Sequence, residues 1–176
     1  MATHSRHALH HLRAAVNRDP DGFAKNVYTR MFAIDPDLRD LFPAMMAGQR
    51  DAFYRVIDHV LEVIPAATGH TELVEFLAQL GRDHRKFGVE PEHYQVMAQA
   101  LMGEFAGLMG DFWDPETAET VAQATMLLTG VMRGAAETAS GPARWTARVV
   151  EKYRISRDLA VIPVSYTHLT LPTREL

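Results

Sequence analysis

The 176-residue chain contains no cysteine, and that single absence removes several chemistries. Disulfides, thiolate nucleophiles, cysteine-held zinc and thioether attachment of a prosthetic group are all excluded, so any metal ion must be held by another residue type. The chain also lacks a block of lysine or arginine. With a formal charge of −4 and a pI near 6.1, it has no electrostatic footprint for nucleic acid, and DNA and RNA are not expected as partners. Nor is there a long apolar run. Met1 to Val16 carries four histidines and two arginines with no continuous hydrophobic core, so neither a signal peptide nor a membrane span is expected, and a cytoplasmic location follows by default. Finally, the composition is not that of a disordered chain. Hydrophobic residues at 47% and charged residues at 23% match an ordinary soluble globular protein of one domain plus a short appendage.

From Ser5 to Gly141 apolar residues recur at spacings of three and four, the period of one helical face, and no alternating segment interrupts them. This part reads all-α. Breaks fall at Asp19-Pro20-Asp21-Gly22, Asp35-Pro36, Pro43, Pro65 to Gly69, Gly88 to Pro91 and Asp114-Pro115, giving seven helical segments, two of them short. Phe23, Val27 and Met31 share a stripe, and this helix should stop at Ile34 because Asp35-Pro36 opens a short one ending at Phe42. Phe53, Val56, Ile57, Val60, Leu61 and Ile64 form the next face; Leu73, Phe76, Leu77, Leu80, His84 and Phe87 form another. Pro91 to Met109 buries Tyr94, Met97 and Leu101 among others, and Asp114-Pro115 starts a last helix reaching about Ala139.

After Gly141-Pro142 the period changes to two: Ala147, Val149, Glu151, Tyr153 and Ile155 on one side, then Leu159 to Ile162 after a Ser-Arg-Asp turn. That pattern predicts a β-hairpin, marginal alone, and hence the opening strands of a larger β domain cut short. Ser165 to Leu176 has no periodicity, resembles translated sequencing-adapter DNA, and is read as a non-native tail. The expected division is residues 1–141, 142–164 and 165–176.

His84 is the most informative residue. Four places after Leu80 and three before Phe87, its imidazole falls on the apolar stripe. A buried neutral imidazole needs partners for both nitrogens; a metal on one and a hydrogen bond on the other satisfies both, while a core histidine bonded to a carbonyl is the alternative. His4, His7 and His11 also share a face and could hold a transition metal, although a solvated helix face accounts for them as well. The nine methionines fit adaptable packing better than thioether ligation.

Tyr28-Thr29-Arg30-Met31-Phe32 followed by Asp35-Pro36-Asp37-Leu38-Arg39-Asp40-Leu41-Phe42 resembles the second and third helices of the globin domain of bacterial haemoglobins and flavohaemoglobins. Gln49-Arg50-Asp51-Ala52-Phe53 resembles that family's distal helix, and Asp83-His84-Arg85-Lys86-Phe87-Gly88-Val89-Glu90-Pro91-Glu92-His93-Tyr94 its proximal segment. The likeness spans roughly residues 5–140. It implies a globin fold around a non-covalent b-type haem whose iron is held by His84. Phe42 would stack on the haem, Phe53 line the distal wall, and Leu80, Phe87 and Met97 complete the pocket. Tyr28 and Gln49 would be the distal donors, and Tyr94 and Glu137 would hydrogen-bond toward the proximal imidazole and make it more electron-donating. Where the family carries a tryptophan and a tyrosine on the last helix, this chain has Val121 and Thr125, which puts the register of Glu137 in doubt.

Trp145-Thr146-Ala147-Arg148-Val149-Val150 and the hairpin after it resemble the first strands of the family's FAD-binding reductase barrel. The implied activity is nitric oxide dioxygenation, with dioxygen and nitric oxide as ligands; an oxygen carrier or gas sensor without turnover is the other reading. FAD and NAD(P)H would belong only to a full-length parent, so the electron would come from an external reductase or a missing C-terminal domain.

Overall fold

Three aspartate–proline pairs set helix starts in the helical part of the chain. In each, proline's fixed φ suits the first helical position while the preceding carboxylate accepts an orphan N–H of the first turn. Asp19 Oδ1 accepts from Gly22 N at 3.0 Å, Asp35 Oδ1 from Asp37 N at 3.1 Å and Asp114 Oδ1 from Thr117 N at 2.7 Å. The computed structural model describes residues 2–66, 68–144, 147–157 and 159–166. The helices are α1 (Ala2–Val16), α2 (Pro20–Ile34), α3 (Ala47–Val63), α4 (His70–His84), α5 (Pro91–Met109) and α6 (Pro115–Thr138), with 3-10 turns at Pro36–Leu41, Arg85–Phe87 and Gly110–Phe112. The expected stop at Ile34 and the short helix after it are both present.

The chain forms two compact units, the first ending at Ala139 and the second beginning at Ser140. In the first, Leu12, Val16, Val27, Ile57, Leu73, Leu77, Leu101 and Val121 are fully buried, each stabilising the fold by about 1.5–3 kcal/mol of transfer free energy. Phe23 of α2 lies between Phe53 of α3 and Phe105 of α5, its ring centroid 6.1 Å and 5.8 Å from theirs in stacked geometry. Polar clamps join the helices at their edges. Arg13 of α1 grips Asp58 of α3 through two bonds of 2.7 and 3.0 Å, which hold the carboxyl below the usual carboxylate range. The buried Glu104 of α5 has both oxygens satisfied, by Asn26 Nδ2 and Arg30 Nε of α2, each at 2.9 Å.

Helices α4 and α6 approach closely at Gly81. A Cβ built on Gly81 would stand 2.1 Å from the Met132 carbonyl oxygen, so the two backbones touch where only glycine fits. This crossing fixes the phase of α4: Leu73, Leu77 and Gly81 are buried, while Phe76, expected on the same stripe, is 42% exposed with its ring edge-on to His59. Inward positions follow steps of four through Gly81, which turns Phe76 to the edge.

The second unit departs from a single hairpin. The expected continuous strand breaks after Val149 into β1 (Ala147–Val149) and β2 (Tyr153–Arg154). Strand β2 pairs antiparallel with β3 (Ala160–Val161), and β1 pairs with β4 (Val164–Tyr166), placing Val149 opposite Val164. Ser165 and Tyr166, read from sequence as tail, therefore belong to a strand, since backbone pairing needs no side-chain periodicity. Trp145 and Thr146 of the linker, and the tail after Tyr166, lie outside the described residues. Among the described residues no helix is long and apolar enough to cross a membrane.

Candidate cofactor-binding site

A cleft of about 160 Å³, lined by residues of α2, α3, α4, α5, α6 and the Pro36–Leu41 turn, opens within the helical unit. The lining is mostly aliphatic and aromatic, with Tyr28, Gln49, His84, His93, Tyr94 and Thr129 as its polar members.

His84 is the last residue of α4, and its Nδ1 lies 2.7 Å from the Leu80 carbonyl oxygen one turn back. A carbonyl can only accept, so Nδ1 carries the proton and Nε2 keeps its lone pair. Burial pushes the imidazole below the usual histidine range, offset in part by that backbone bond, which keeps the ring neutral near pH 7. A neutral, oriented imidazole with one free lone pair on a cavity wall is a metal ligand in waiting.

Tyr28 of α2 supplies the second polar group. Only 4% exposed, its phenol is pushed up to about 12 by burial and therefore stays protonated. Gln49 of α3 donates from Nε2 to the phenolic oxygen at 3.4 Å, leaving the phenol's own proton to be offered elsewhere. The ring is wedged by Phe53 at 5.2 Å, Phe42 at 5.3 Å and Phe32 at 6.0 Å. Arg39 secures this corner by donating from Nη1 to Phe42 O at 3.0 Å while its guanidinium lies over the Phe32 ring.

Most sequence-predicted site residues meet here: Tyr28, Phe42, Gln49, Phe53, Leu80, His84, Tyr94 and Met97 all line the cleft. Three details differ. Phe87 is 54% exposed, with the Lys86 ammonium 5.1 Å from its ring centroid, and is not on the wall. The α-helix ends at His84 and the 3-10 turn leads to Gly88 at φ +82°, so helical phase no longer governs Phe87. Tyr94 donates to the Gly81 carbonyl at 3.5 Å rather than to His84, whose ring is 6.4 Å away between centroids. Glu137 points outward: its side chain is 44% exposed and 3.7 Å from Arg133. The inward position is Ala136, one residue and about 100° earlier and in step with Met132.

Sequence reasoning missed Thr129, Met132 and His93 on the wall. The first two continue the stripe of α6 and were legible from period; His93 looked like a surface residue in Glu90-Pro91-Glu92-His93. Of the N-terminal histidines, His11 lies against Phe112 at 4.3 Å and His4 is 3.7 Å from Glu116, so those two have separate partners.

The helical arrangement and the cleft between its two polar walls are those of a globin-type fold. The globin family model matches residues 25–132, and the chain belongs to the globin family. It is 28% identical over 145 residues to a flavohemoprotein of Rhodopirellula baltica, covering 74% of this chain and 33% of that protein. It is likewise 28% identical over 153 residues to a flavohemoprotein of Deinococcus radiodurans, covering 83% and 37%. A neuroglobin of Tetraodon nigroviridis is 30% identical over 97 residues, 49% of this chain and 60% of that one. Among solved structures, a flavohemoglobin from Malassezia yamatoensis with bound FAD and heme superposes with a TM-score of 0.69 at 15% identity, covering 94% of this chain and 45% of that one. The chain thus spans about a third of the length of these flavohemoproteins.

Proposed function

We propose that this chain is a haem-binding, oxygen-binding globin domain. The observation that carries the reading is the pairing, on one apolar cleft, of a neutral imidazole with a protonated phenol–amide couple. The donor set fits a b-type haem: His84 Nε2 would hold the iron, and Phe42, Phe53, Leu80 and Met97 would cover the macrocycle. When bound, the haem iron supplies the coordination position at which a diatomic gas is taken up. The chain's own residues then do the polar work. Tyr28 offers its proton toward negative charge gathering on the gas ligand, Gln49 fixes the phenolic oxygen, and the apolar wall excludes competing water.

For a longer, flavohemoglobin-like parent we propose nitric oxide dioxygenation, in which nitric oxide, dioxygen and one electron give nitrate. The electron would come from an external reductase or from a FAD- and NAD(P)H-binding domain continuing from the strands after Ser140, a reading supported by the names and greater length of the flavohemoprotein relatives. A carrier or sensor without turnover is favoured by one observation. His84 Nδ1 faces a neutral carbonyl, and among the described lining residues there is no carboxylate to make the imidazole more electron-donating. Stopped-flow mixing of the oxygenated, haem-loaded protein with nitric oxide tests the choice: prompt ferric conversion with stoichiometric nitrate supports dioxygenation, and slow conversion supports the carrier. Tyr28→Phe is expected to speed oxygen dissociation roughly tenfold, the loss of one hydrogen bond to a charged acceptor; an unchanged off-rate removes Tyr28 from the distal pair.

A further inference from the structure

His93 lies on the wall of the cleft at the start of α5, nine residues after His84, and the function above gives it no task. We infer that His93 is the point of the pocket that recognises a carboxylate of the bound haem, through the N–H of its Nε2. The inference rests on the haem reading and adds to it which residue meets the polar edge of the cofactor.

The argument begins with the helix cap. The Glu90 backbone N–H donates to His93 Nδ1 at 3.0 Å. An imidazole nitrogen that accepts carries no proton, so the neutral ring must be protonated at Nε2. The cap also fixes the ring, because its acceptor nitrogen is tied to the first turn of α5. His93 therefore presents an oriented donor at a half-buried position.

The second step is an accounting of the other polar groups on the wall. Tyr28 and Gln49 are bonded to each other, His84 Nδ1 to the Leu80 carbonyl, the Tyr94 hydroxyl to the Gly81 carbonyl and the Thr129 hydroxyl to the Thr125 carbonyl. Among the described lining residues there is no lysine or arginine, and His93 is the only group besides His84 that can carry positive charge. Haem bears two propionate carboxylates, and a carboxylate seated against an apolar wall without a donor is strongly disfavoured. A histidine N–H to carboxylate bond is charge-assisted. Apart from Tyr28, whose free proton is assigned to the gas ligand, His93 is the side chain on this wall that offers a hydrogen on a ring fixed by its own cap to receive a propionate.

The test uses the full chain loaded with protohaem or with its dimethyl ester, which has the same macrocycle and no carboxylates. The readout is release of each into excess apomyoglobin. In the wild type the ester is expected to leave roughly tenfold faster than the free acid, the worth of one charge-assisted bond. His93→Glu keeps an acceptor for the Glu90 N–H, as glutamate does at the third position of a capping box, and replaces the donor by a like charge. It is expected to speed release of the free acid roughly tenfold or more and to leave ester release within about twofold. His93→Leu, which lacks both donor and charge, should likewise erase the difference between the two ligands. Equal release of acid and ester from the wild type, or variants that accelerate both ligands alike, overturn the assignment while leaving haem binding intact. Absence of a stoichiometric Soret band in the wild type overturns the haem reading and this inference with it.

Discussion

Gly81→Ala is expected to cost the helical unit about 3 kcal/mol, more than a typical single substitution. The added methyl would sit 2.1 Å from the Met132 carbonyl oxygen and 2.7 Å from that residue's carbonyl carbon and Cα. All three atoms are backbone, so no rotamer change relieves the clash; α4 and α6 must separate by about an ångström along their crossing. Overpacking of a well-filled core costs about 1–3 kcal/mol and occasionally more, and two backbones that cannot give place this case above that range, at about 4 kcal/mol. Alanine's better helix propensity returns about 1 kcal/mol, which is smaller. For a unit of this size the loss corresponds to a fall in Tm of roughly 10 °C. The internal control is Gly130→Ala on α6, where an added Cβ meets nothing within 4 Å; it should be neutral or raise stability by up to about 1 kcal/mol. Thermal and urea unfolding of the three proteins decide the matter, and a Gly81→Ala protein as stable as the Gly130→Ala one would refute the crossing.

Gly81 also marks the limit of sequence reading here. In isolation it is a helix-interior glycine of poor propensity, and its role appears only when α6, some fifty residues further along, is laid against it. What depends on local chemistry was legible: the Asp–Pro starts, the stop at Ile34, the stripes of α2 and α3, and the placement of His84 on an inward face all follow from backbone sterics and a period of 3.6. Phe76, Phe87 and Glu137 share another cause of failure. Each lies near the edge of a stripe or past the end of a helix, where a rotation of about 100° per residue separates wall from solvent and a change to a 3-10 turn cancels the phase. The family pattern led to Glu137, whereas the phase of Met132 selects Ala136. His93 was overlooked for a different reason. Its first hydrogen bond is to the backbone of its own helix start, so polarity at that position looked like capping alone, and capping leaves the second ring nitrogen free for the cavity.

That division of labour within one imidazole underlies the second large effect. His84→Ala is expected to abolish the stoichiometric Soret band of the haem-reconstituted protein, or to shift it strongly, while changing the stability of the unloaded fold by only about 1 kcal/mol. The asymmetry follows from position. His84 is the terminal residue of α4 and only half-buried, and Nδ1 bonds a carbonyl within its own helix, so removing the ring breaks no tertiary hydrogen bond. The iron, by contrast, loses its one oriented protein donor, and an aliphatic wall offers no substitute. Exogenous imidazole added to His84→Gly should restore a histidine-like spectrum, because the space vacated by the side chain opens on the same cleft; restoration separates loss of a ligand from collapse of the pocket. If the band survives unchanged in His84→Ala, the ligand must be another residue. His93 is the only other imidazole among the described lining residues, so the double variant His84→Ala/His93→Ala would then identify it. If the band is lost and imidazole returns it, His84 holds the iron, and the hydrogen of His93 Nε2 remains available for the cofactor's edge.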